Sequence, residues 1–250
     1  MPQVVLRFYA ELNDFLPRER RQVPFAHTFV GRRSVKDLIE ALGVPHTEVD
    51  LILVQGASVD FSYWPQDGDQ ISVYPVFEAV DITPLVRLRP RPLREPKFVL
   101  DAHLGKLASH LRLMGFDTLY ENDFADETLA RVSEAEKRLL LTKDRGLLKR
   151  RQVTHGYLVR GTDPELQLRE VLSRFDLFDA VRPFTRCLNC NGNLEPADKA
   201  AVAELLPADV AENSSEFRRC AGCGKVYWRG SHYAHLSRFV EAVLADRPAW

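Results

Sequence analysis

The chain has 250 residues, 45% hydrophobic and 28% charged, with a formal net charge of −1. That length suits one large domain or two to three small ones, and near-neutrality excludes a global field for nucleic acid, so any such site must be a local basic patch. No apolar run reaches the roughly 18 residues of a membrane-spanning helix, and the N-terminal MPQVVLRFYAELNDFL lacks the pattern of a secretory signal, which leads us to expect a cytoplasmic protein.

In chain order, the segment 1–82 reads as a small β-grasp module. Strands are expected at VVLRFYA and HTFVGRR, then a short helix at SVKDLIEALG with Ser34 as its N-cap and Gly43 as its stop. Two more strands, DLILVQG and DQISVYPVF, flank the turn-rich PQDGD. The stretch VQGASVDFSYWPQDGDQISVYP resembles the ubiquitin-like sulfur carriers of thiamin and molybdopterin synthesis, in which a Gly-Asp turn precedes the last strand. Those carriers end in an activatable Gly-Gly carboxylate, whereas this chain runs on through VFEAVDITPLV without a Gly pair. Sulfur carriage is therefore not expected; a docking or substrate-guiding module with a protein partner is.

Residues 83–96, TPLVRLRPRPLREP, contain four prolines and four arginines and read as a stiff linker. Arg87, Arg89, Arg91 and Arg94 either contact phosphates or simply solvate the linker. The block 97–182 then alternates strand and helix. KFVLD is a buried strand, and AHLGKLASHLRLMG is an amphipathic helix with Leu104, Leu107, Ala108, Leu111 and Met114 on one face and Gly115 at its end. FDTLYE, DETLARVSEAEK, RLLLT, GLLKRR, GYLVR and DPELQLREVLSRF continue the alternation, which specifies a three-layer α/β fold with a parallel sheet.

Sites in such sheets form beyond the carboxyl ends of the strands. Asp101 directly follows FVL, Asp144 follows LLLT by two residues, Asp163 follows YLVR by three, and Asp126 opens the helix after the second strand. Carboxylates brought together raise one another's pKa unless a cation neutralises them, and an all-oxygen set suits Mg²⁺ or Mn²⁺. Such ions activate water for phosphodiester cleavage. Each acid except Asp101 has a structural alternative as a helix cap: Asp126 before Glu127, Asp144 before RGLLKR, and Asp163 before Pro164. Lys143 and Arg145, on either side of Asp144, are candidate phosphate guides.

All four cysteines fall late, as Cys187-Leu-Asn-Cys190 and Cys220-Ala-Gly-Cys223. Two disulfides are possible on count, but two-residue spacing is that of a metal knuckle, and four thiolates make a closed structural zinc site. In each knuckle a following glycine is expected to let the chain turn back under the metal. The 29 residues between the knuckles exceed the usual span and contain EPADKAAVAELLPADV, expected as a short helix or loop. Behind the second knuckle, VYWRGSHYAHL offers Tyr227, Trp228, Arg229, His232 and Tyr233. These either bind single-stranded nucleic acid by stacking and phosphate contact or fasten the ribbon, residues 183–240 with its tail, to the α/β domain.

Three blocks in order, KFVLDAHLGKLASHLRLMGFDTLY, ADETLARVSEAEKRLLLTKDRGLLKR and RCLNCNG…CGKVYWRGSH, closely resemble the Mut-seven C-terminal ribonuclease family, over essentially residues 1–235. The resemblance implies a PIN-like nuclease domain fused to a zinc ribbon, with a ubiquitin-like domain in front. It implies metal-dependent RNA cleavage with Asp101, Asp126 and Asp144 as the acidic core. The family's LTRD reads LTKD here, keeping the charge without the bidentate fork. Where its helix usually carries Arg, this chain has Ser109-His110. The expectation is thus a Mg/Mn-dependent ribonuclease with structural zinc; the alternative is a non-catalytic RNA-binding adaptor using the ribbon and the basic linker.

Overall fold

The structure, a computed structural model, describes residues 1–75, 88 and 96–247. Arg87, Arg89, Arg91 and Arg94 of the linker lie outside the described residues. The chain opens with β1 (Gln3–Phe8), β2 (Phe25–Thr28), α1 (Val35–Ala41), β3 (Val49–Val54), β4 (Ala57–Val59) and β5 (Gln70–Pro75). It continues with β6 (Phe98–Leu100), α2 (Gly105–Leu113), β7 (Thr118–Leu119), α3 (Asp126–Glu136), β8 (Leu139–Thr142), α4 (Arg145–Leu148), β9 (Gly156–Leu158) and α5 (Pro164–Arg174). Last come β10 (Leu194–Ala197), α6 (Lys199–Val202), α7 (Ala208–Asn213), β11 (Phe217–Cys220), β12 (Val226–Trp228) and α8 (Ser231–Ala245).

The first sheet has the order β2-β1-β5-β3-β4, with β1 and β5 parallel and every other pair antiparallel. Along β1, buried Val4, Leu6 and Phe8 alternate with exposed Gln3, Val5 and Arg7, the period of a strand covered on one face. Ser34 caps α1 in a reciprocal box with Asp37, and Gly43 ends the turn at φ +100°, as expected. The hairpin β3–β4 is an addition to the expected elements. Gln55 and Gly56 form its two-residue turn at φ +50° and +84°, the left-handed pair that a tight hairpin needs.

The second sheet is parallel, in the order β7-β6-β8-β9. Its registers include Phe98 opposite Thr118 and Leu140 opposite Gly156. β6, β8 and β9 are buried at every position, which is how strands read when both faces of a parallel sheet are covered. The expected apolar face of α2 is buried at all five positions. The third sheet, β10-β11-β12, is an antiparallel ribbon. The tail expected after it is instead the 15-residue helix α8, which continues past residue 240 to Ala245.

The chain divides into two compact units, neither continuous in sequence: Met1–Glu95 with Ala125–Leu158, and Pro96–Phe124 with Val159–Trp250. Within the first, the ubiquitin-like sheet is fastened to the segment around α4 and β9. Lys149 Nζ donates to Glu40 O at 2.8 Å, and His46 bridges Glu40 Oε1 (2.7 Å) and Val153 O (3.1 Å). The buried Glu48 carboxylate accepts the N–H of Leu158 at 2.8 Å, and the Arg145 guanidinium stands 5.2 Å from the Phe15 ring centroid.

Candidate functional site

Within the second unit the four cysteine Sγ atoms lie within 4.8 Å of one another. Cys187 and Cys223 are 3.7 Å apart, and Cys190 and Cys220 3.3 Å. The two knuckles repeat one backbone pattern. Cys187 N donates to Gly192 O and Asn191 N returns to Cys187 O, as Cys220 N donates to Lys225 O and Gly224 N to Cys220 O. In the second knuckle Gly224 takes the left-handed position at φ +74°; in the first it is Asn191, at φ +67°, and not the glycine. Gly192 serves by lacking a side chain, because a Cβ there would stand 2.8 Å from Cys220 Sγ.

The four cysteines shift one another's protonation in opposite directions. Burial disfavours the Cys187 thiolate, but the Tyr227 hydroxyl, 3.1 Å away, and the backbone N–H groups of Cys190 and Asn189 outweigh it and pull the thiol down to about 6. Cys190 moves the other way: the Gly192 N–H favours its thiolate, yet burial and the neighbouring Cys220, Cys223 and Cys187 push it up to about 12. Burial and the Cys187 sulfur also raise the Tyr227 hydroxyl. Four thiolates cannot coexist here without a positive ion to offset them. The arrangement is able to hold a metal such as zinc.

Arg112 of α2 and the backbone of Thr118 in β7 help seat the first knuckle. Buried Arg112 donates to Thr118 O (3.0 Å), Leu188 O (3.1 Å) and Asn189 O (3.0 Å). Asn191 accepts the Thr118 N–H at 2.9 Å and donates to Asp117 at 2.8 Å. Arg186 donates to Gly115 O and Asn191 O. These anchors were not read from the sequence. The only signal was an arginine on the apolar stretch of a helix, which calls for buried acceptors. Tyr227 packs on the Cys187, Leu194 and Cys220 cluster, and Trp228 on Val202, Phe217 and Val226.

The acids fall at helix starts that follow strands. Asp101 is buried directly after β6, and its Oδ1 accepts the His103 N–H at 2.9 Å. Asp144, exposed, caps α4: Oδ1 accepts the Gly146 N–H at 2.7 Å, and its own N–H reaches Thr142 Oγ1 at 2.9 Å. Gly146 permits that bond, since even a Cβ would sit 3.2 Å from Oδ1. Asp126 is not the cap of α3; Ala125 holds that position, and Asp126 lies in the first turn 3.7 Å from Arg150. Asp163 caps α5, with Oδ1 taking the N–H groups of Glu165 and Leu166. Lys143 is exposed, as are Arg229 and His232, whereas Arg145 lies against Phe15 and Trp228 is half-buried. Ser109 donates to Gly105 O within α2, and His110 faces the Phe239 ring at 4.7 Å, so both are spent on packing.

A β-grasp sheet, a covered parallel sheet and a four-cysteine ribbon in a single chain define a composite α/β protein with a metal-knuckle pair. Residues 96–240 match the family model described as the Mut7-C RNAse domain, and residues 1–81 match the Mut7-C ubiquitin model. The chain belongs to the Mut7-C RNAse domain family. No curated protein and no solved structure matches it. Among the described residues, no helix is long and apolar enough to cross a membrane.

Proposed function

We propose that this protein is a Mg²⁺- or Mn²⁺-dependent ribonuclease whose Cys187, Cys190, Cys220 and Cys223 hold structural zinc. The observation that carries the reading is the match of residues 96–240 to an RNAse domain. The placement of acids immediately beyond β6 and β8 supports it, since catalysis in open parallel sheets is built at that edge.

Asp101 and Asp144 would hold the ion directly, and Asp126 would complete the set. Hard carboxylate oxygens suit Mg²⁺ and Mn²⁺, and the cap bond of Asp144 uses only Oδ1, leaving Oδ2 for a cation. When bound, such an ion supplies water activation and charge stabilisation at a phosphodiester. Lys143 or Arg145, on either side of Asp144 and both exposed, would steer the phosphate. Asp163, whose Oδ1 caps α5 as that of Asp144 caps α4, would join the catalytic set through its other oxygen.

Purified protein incubated with labelled single-stranded RNA and Mn²⁺ tests the proposal. Wild type should cleave, and Asp144→Asn should cleave at least about 100-fold more slowly, a loss of ~2.7 kcal/mol of transition-state stabilisation. Identical cleavage by the two, or none by either, overturns it. RNA binding without cleavage, unchanged by Asp101→Asn, would identify the chain as an adaptor instead.

A further inference from the structure

In the second unit a cavity of about 1020 Å³ lies between the ribbon sheet and α8. Its walls combine two kinds of group. Trp228 and Tyr233 are half-buried; the Tyr233 ring leans on Phe184 at 4.5 Å between ring centroids and has the Arg229 guanidinium 5.6 Å from its centroid. Around them stand exposed Arg218, Lys225 and Arg229. Arg229 meets Glu216 at 3.0 Å, but both side chains are more than 60% exposed, so solvent and salt weaken that pair. In the lining, four cations oppose two carboxylates, although the whole chain carries −1. The groove is thus a local basic patch on a chain without a basic field. Its aromatic faces lie beside its cations, the combination that binds unpaired bases and their phosphates together. Tyr227 is excluded from that role because its hydroxyl is committed to Cys187.

We propose that this groove binds a single-stranded RNA segment, with a base stacked on Trp228 beside the Arg229–Tyr233 pair and phosphates met by Arg218, Lys225 and Arg229. The choice of RNA over DNA rests on the ribonuclease reading; the stacking and phosphate chemistry does not.

Binding is measured by fluorescence anisotropy of a labelled oligouridylate and the matching oligodeoxyuridylate. The full chain carries Asp144→Asn to prevent cleavage, and no chelator is added because it would strip the knuckles. Trp228→Ala should weaken RNA binding by about 5- to 150-fold, the range set by loss of one stacked base. Arg218→Ser with Lys225→Ser, both at exposed positions, should weaken it further as salt falls and reduce the slope of log affinity against log salt by about 1.4 for two single-strand phosphates. Zinc content and circular dichroism of each variant show that the ribbon is folded. Unchanged affinity in the folded double-serine variant overturns the proposal, even if wild type cleaves RNA. Weakened affinity with no cleavage by wild type keeps the groove and removes the ribonuclease reading. Equal affinity for the two oligomers removes the preference for RNA.

Discussion

At position 191 the chain needs a residue that accepts φ +67° and also ties the first knuckle to the start of β7. Asparagine does both: its short amide tolerates the left-handed region, and its Oδ1 satisfies the buried N–H of Thr118. Asn191→Gly should keep the turn but orphan that N–H, costing about 1–3 kcal/mol in denaturant unfolding, and Asn191→Ala should cost more because the turn is strained as well. The Tyr227 hydroxyl is a comparable single-atom contribution, lying 3.1 Å from Cys187 Sγ. Tyr227→Phe should lower metal affinity roughly 10- to 100-fold, read by competition with a chromogenic chelator.

Two packed elements carry consequences of their own. The ubiquitin-like module is held to its own chain by Glu48, whose carboxylate accepts the Leu158 N–H of β9, and by Lys149 and Arg145 of the α4 region. That fastening reaches the segment that starts with Asp144. Glu48→Ala leaves a buried donor unsatisfied and should cost about 1–3 kcal/mol, whereas Glu48→Gln, still able to accept, should cost less. On α2, burial against α5 and Phe239 holds the His110 imidazole below its ordinary range, and the Pro164 carbonyl only partly offsets this. A lowered folded pKa means the unfolded chain binds the proton more readily. The contribution is therefore complete above about pH 6.5 and is lost as pH falls through the folded value. Between about pH 7.5 and pH 5.5 the melting temperature of wild type should drop more than that of His110→Gln.

At the scale of the whole molecule, the apolar clusters of the ribbon among the described residues are small: Cys187–Leu194–Cys220 and Val202–Phe217–Val226. A module of this kind depends on its metal for folding free energy. Chelation should therefore abolish hydrogen-exchange protection of β11 and β12 while β1 and β5, with a sheet and helix of their own, stay protected. Simultaneous loss in both regions would show that the metal holds more than the ribbon.

Period and spacing were enough to expose much of this protein. The alternation of β1, the buried run of β8, the capped α1 and the paired CxxC knuckles are each written in local sequence, because strand burial, helix capping and thiolate spacing act over a few residues. The Gln55-Gly56 turn and the Leu236, Phe239, Val240 and Val243 spacing of α8 are equally local signals of the added hairpin and of the long C-terminal helix. What only the tertiary structure decided are the long-range pairings: Glu48 with Leu158, Asn191 with Thr118, Arg112 beneath the first knuckle. Each joins a polar group to a partner 70 or more residues away. Nothing in a short window can show which buried N–H or carbonyl a distant side chain will satisfy, because that need arises only once the surrounding surface has lost its water.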